Sequence, residues 1–109
     1  MGLFGKSGKE IDEFARTLAQ SVAKRYPPSL DSAKERKISV NRITKVLEGT
    51  YQKAVEFNAA NKLGVYKKAR LGNTFKWELK ELGYSESFIE LATEGLIVNV
   101  ARKTDPGKG

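Results

Sequence analysis

The stretch SVNRITKVLEGTYQKAVEFNAANKL, residues 39–63, decides the fold. Val40, Ile43, Leu47, Tyr51, Ala54 and Val55 recur at intervals that fall on one side of a helix, with Val46 and Phe57 at the margin. Arg42, Lys45, Gln52, Lys53 and Glu56 take the opposite side. No strand-like alternation competes with that pattern. As one helix the stretch would run roughly 37 Å. It is expected to organise the core, with Gly64 as its stop signal and Asn58 or Asn61 as caps.

The flanking segments carry the same period. Upstream, Ser7 and Glu10 have the spacing of a capping box. Ile11, Phe14, Leu18 and Val22 follow as an apolar stripe, and Pro27-Pro28 ends the element, giving a helix over about 8–26. Asp12 and Glu13 read as an ordinary acidic first turn, and Lys24 and Arg25 as a basic last one. Residues 27–38 form a connection in which Ser32 and Glu35 could cap a short turn. Downstream, Leu71, Phe75, Leu79 and Leu82 form a stripe, with Gly72-Asn73-Thr74 expected to split or kink the segment 65–82. The spacing of Ser87 and Glu90 opens a last helix whose buried side begins with Phe88, Leu91 and Ala92. The β-branched run Leu96-Ile97-Val98-Asn99-Val100 lacks a strand to pair with and is assigned to that helix. The expected fold is all-α: one compact domain of four or five helices over residues 1–103. In it the long helix packs on the first and third, and 104–109 is a disordered tail.

Composition bounds the function. The chain has no histidine and no cysteine, yet 20 of its 109 residues are Lys or Arg, for a net charge of +7. It therefore lacks the usual neutral-pH base, the thiolate nucleophile and the common transition-metal ligands. No catalytic residue, metal site or cofactor site is assigned, and the chain is expected not to be an enzyme. Without cysteine nothing calls for an oxidising compartment. With no long apolar run, no membrane role and a cytoplasmic location are expected.

Three motifs tempt and fail. Gly2-Leu3-Phe4-Gly5-Lys6-Ser7 has two residues between its glycines where a phosphate-binding loop needs four. An N-myristoylation signal would need Ser or Thr at Lys6. The stretch 79–92 has helix-turn-helix spacing around Gly83. However, residues 81–94 hold Glu81, Glu86, Glu90 and Glu94 and no Lys or Arg, which a polyanion would avoid.

The basic residues are grouped. Residues 24–45 carry seven Lys or Arg against Asp31 and Glu35, and residues 62–80 carry six against Glu78. On a helical 65–80, Tyr66, Arg70, Asn73 and Trp77 stack on the side away from Leu71, Phe75 and Leu79, flanked by Lys80. Two accounts are open. The strip is a binding surface, or it fills a second core layer with Arg70 stacked on Trp77. As a surface it suits a protein partner, a second copy, or RNA or single-stranded DNA. In the nucleic-acid case Arg42, Lys45, Lys62, Lys67, Lys68 and Lys76 would hold phosphates. The function expected is a small binding module acting through a protein partner, with nucleic-acid binding as the alternative.

Overall fold

The Ser7 hydroxyl accepts from the Glu10 N–H while the Glu10 carboxylate accepts from the Ser7 N–H, so a reciprocal box opens α1, Gly8–Arg25. The computed structural model describes residues 7–31 and 40–103. The suggested turn at Ser32 and Glu35 and the tail 104–109 lie outside them.

Pro27-Pro28 does end α1, with Tyr26 as its C-cap, but Pro28 also starts the one-turn helix α2, Pro28–Asp31. The described start of the connection, residues 28–31, is thus helical. Then follow α3, Val40–Asn61, α4, Val65–Leu82, and α5, Glu86–Lys103. The fold is an all-α bundle, as the periodicity requires.

The end of α3 is not built on Gly64. Lys62 takes the left-handed backbone conformation (φ 48°), and the Asn58 side-chain oxygen accepts from the Leu63 N–H at 3.0 Å. Gly64 is extended and precedes α4.

Helix α4 runs unbroken through Gly72-Asn73-Thr74, against the expected split. Gly72 is buried, and a Cβ there would lie 2.8 Å from Ile97 Cγ1. The glycine serves close packing of α4 on α5, not a break. Gly83 (φ 101°) closes α4 with paired bonds from the Gly83 N–H to the Lys80 carbonyl and from the Tyr84 N–H to the Leu79 carbonyl.

The cap of α5 is Ser85 rather than Ser87: its hydroxyl accepts from the Phe88 N–H at 3.2 Å. Leu96 and Val100 face the core within a continuous helix, as their lack of a strand partner implies.

Helices α1 and α4 form the most extensive pair, and α4 also packs on α5. Helix α3 packs on α5 and α1. The long helix is therefore a side wall, not the organiser: it packs on α1 as expected, but its other main neighbour is α5 and not α4. Around the bundle the order is α1, α4, α5, α3. Phe75 sits in the middle with no exposed surface, among Ile11, Leu18, Leu71, Leu79 and Leu96.

At one end a buried carboxylate ties two turns together. Asp31 accepts from the Tyr26 hydroxyl at 3.1 Å and from the Ser85 N–H at 2.7 Å, while the Tyr84 hydroxyl donates to the Tyr26 carbonyl. Tyr26, Tyr84 and Phe88 pack ring against ring around it. Burial, then the nearby Asp31 charge, pushes the Tyr84 hydroxyl well above the usual phenol range.

Candidate interaction surfaces

Of the strip on α4, two aromatic residues point outward. Tyr66 is 69% exposed and Trp77 is 52% exposed, so neither fills a second core layer. Asn73 is exposed beside Trp77. The Lys80 ammonium lies 5.0 Å from the indole centroid and covers part of it.

Arg70 behaves differently. It does not stack on Trp77. Its Nε donates to Asp12 Oδ1 at 3.0 Å and its Nη2 to Asp12 Oδ2 at 2.8 Å, a two-pronged bridge from α4 to α1. Nη1 donates to the Tyr66 hydroxyl, and the Thr74 hydroxyl donates to Asp12 Oδ1. Hydrogen bonding from Arg70 outweighs partial burial and holds the Asp12 carboxyl below its ordinary range. The same bond to Asp12, then that to Tyr66, makes Arg70 still harder to deprotonate. Asp12, taken from sequence as an ordinary first-turn acid, is thus the anchor of an interhelical clip. Arg70 helps orient Tyr66 but is engaged within the chain, whereas Tyr66, Asn73 and Trp77 are exposed.

Trp77 edges a recess of about 250 Å³ lined by Asn73, Lys76, Lys80, Glu86, Ile89 and Glu90. The basic face of α4 and the acidic first turn of α5 therefore meet at one place. Arg42 and Lys45 are elsewhere. With Arg25 and Asn41 they line a separate recess of about 450 Å³ between α1 and α3. Helices α3 and α4 occupy opposite corners, so Arg42 and Lys45 do not merge with the lysines of α4 into one face. Lys62 is exposed at the α3–α4 turn, Lys67 and Lys68 are half-buried, and Lys76 is exposed.

Another surface escaped the sequence reading. A groove of about 900 Å³ runs between α3 and α5. Ile43, Leu47, Tyr51 and Val55 contribute from α3, and Leu91 and Val98 from α5. Leu91, expected on the buried side, is 57% exposed, and Val98 is 41% exposed. The inward stripe of α5 is Ile89, Ala92, Leu96 and Val100. Leu91, Ile97 and Val98 lie off it, which was the available signal: a helix apolar on more than one side seeks a second cover. The floor of the groove depends on Gly95. The Tyr51 ring lies across it, its hydroxyl donates to the Ala92 carbonyl at 3.0 Å, and burial pushes the pKa of that hydroxyl up to about 12.

Among the described residues no cluster could hold a metal ion, and no helix is long and apolar enough to cross a membrane. No protein-family model matches the chain, and no curated protein and no solved structure matches it.

Proposed function

We propose that the protein is a small non-enzymatic binding module that engages a protein partner through the Trp77 face of α4. The carrying observation is a half-exposed indole at the rim of a recess holding both lysines and glutamates. Mixed charge around a large aromatic suits a polar-rimmed protein contact, where tryptophan and tyrosine are the usual anchors.

The RNA or single-stranded DNA alternative draws on Lys62 at the α3–α4 turn and on Lys67, Lys68, Lys76 and Lys80 along α4. It is the weaker reading. Glu86 and Glu90 sit in the recess, Lys80 covers part of the indole, and Arg42 and Lys45 are on another corner. A cytoplasmic setting belongs to the same proposal.

Replacing Trp77 with alanine tests it. Trp77→Ala should abolish partner capture while circular dichroism keeps its helical signal. A short oligonucleotide should leave the fluorescence of Trp77 unchanged at moderate salt. Partner capture undiminished in a folded Trp77→Ala, or quenching by the oligonucleotide, would overturn the reading.

A further inference from the structure

The groove between α3 and α5 is chemically unlike the rest of the surface. The chain carries a net charge of +7, yet the described residues lining this groove include no Lys or Arg, and the charged ones are Glu48 and Glu94. Its apolar seam is already formed in the isolated chain, because Tyr51 is held across Gly95 by its bond to the Ala92 carbonyl. An apolar trough with an acidic rim fits one kind of occupant: a helix face with apolar or aromatic anchors and basic flanks.

Such a face exists on the chain itself. On α4, Tyr66, Asn73 and Trp77 project outward, with exposed Lys76 and Lys80 beside them. The lengths agree. Ile43 and Val55, the ends of the seam on α3, are separated by about 18 Å of helix, and Tyr66 and Trp77 by about 17 Å. The two surfaces also lie apart: α4 packs on α1 and α5, while the groove opens between α3 and α5. A chain cannot fill its own groove with its own ridge.

We propose that a second copy of this chain docks the Tyr66–Trp77 ridge of its α4 into the acidic-rimmed groove between α3 and α5. The contact is head-to-tail, so each added copy leaves one ridge and one groove open, and assembly ends in a ring or continues as a chain. The inference rests on the Trp77 face being the binding face, and names its partner.

Sedimentation velocity from micromolar to millimolar protein tests it. The wild-type chain should grow in mass with concentration and shrink with added salt. Trp77→Ala, which lacks the ridge anchor, should weaken association by about tenfold or more. The double variant Glu48→Lys/Glu94→Lys, which lacks the groove rim, should do likewise. Mixed in equal amounts, the two should form a pair and nothing larger, because only the intact ridge of one and the intact groove of the other remain. Should Trp77→Ala lose helicity, Lys76→Glu/Lys80→Glu serves as the ridge variant. A wild-type chain that stays monomeric throughout overturns the inference and leaves a different protein as the partner of α4. A mixture that stays monomeric overturns it as well. Association undiminished in a folded Trp77→Ala would instead bring down the proposed role of the Trp77 face.

Discussion

The pair α1–α4 and the pair α3–α5 face each other across the same core and are finished in different ways. Helices α1 and α4 are fastened along their length. Arg70 and Thr74 meet Asp12, Glu78 meets Arg16 at 3.3 Å, and at the far end Tyr84 reaches Tyr26. These contacts ascend together in sequence, so the two helices run in the same direction. The α3–α5 pair meets through Tyr51 on Gly95 and leaves Leu91 and Val98 uncovered. The lesson is a division of labour: the fastened pair specifies the fold, and the open pair retains apolar surface that folding does not use.

The largest effect should separate these two halves most sharply. Phe75, on α4 of the fastened pair, has no exposed surface. Phe75→Ala should destabilise the bundle by about 4 kcal/mol, the usual range for emptying a buried phenyl site. Leu91→Ala, an aliphatic change in the open half, should cost less than about 0.5 kcal/mol, as exposed positions do. Urea denaturation of both variants checks the contrast. Equal losses would mean that the groove is core and that the comparison is false.

Next comes the junction at Asp31. Asp31→Ala removes the acceptor for both the Tyr26 hydroxyl and the Ser85 N–H at a buried site. Losing both bonds to the carboxylate at a buried site should cost about 2 kcal/mol. Hydrogen exchange should show the loss concentrated at the two turns, with the middle of α3 protected as before.

Much of this was written in the sequence, and the part that was not has a common cause. Periodicity located every long helix because it records which residues must leave water. It does not record which helix supplies the cover. Leu91 and Ile89 are equally apolar, but the ring order of the four helices buries one and exposes the other. Gly72 and Gly95 look like weaknesses on paper, yet each admits a side chain from a neighbouring helix: Ile97 onto α4, Tyr51 onto α5. The Asp12–Arg70 clip spans 58 positions, a pairing that local spacing cannot announce. For the strip on α4, spacing grouped Tyr66 and Trp77 on one side but left a binding surface and a second core layer both open; the structure exposes the two rings, and only the distant Asp12 shows that Arg70 is already engaged.

The glycine in the open half gives a smaller, sharper test. A Cβ at position 95 would collide with the Tyr51 hydroxyl oxygen and lie 2.6 Å from its Cζ, so the ring must move. Gly95→Ala should destabilise by about 1 kcal/mol, the overpacking cost partly offset by alanine's better helix propensity. In the background of Tyr51→Ala the same change should become neutral or stabilising, since the obstructing ring is gone. A thermodynamic cycle of the two substitutions measures the coupling directly. If no coupling is found, Tyr51 does not depend on Gly95 for its place in the groove floor.

The smallest effect concerns the fastened pair and is read through pH. Arg70 holds the folded Asp12 carboxyl below its ordinary value of 3.8, so the unfolded chain binds that proton more readily. The stabilisation is therefore fully present above that ordinary value. It is lost as pH falls through the lower, folded value. Asp12 retains partial exposure, so solvent screens the pair and the contribution is modest. Asp12→Asn should lower the neutral-pH Tm by a few degrees. The wild-type and variant curves of Tm against pH should draw together below the ordinary carboxylate range. Differencing the curves removes the titration of the other carboxylates, which both chains share. A gap that persists unchanged into strong acid would mean that Asp12 acts through packing rather than charge. The fastening of α1 to α4 would then owe little to its ion pairs.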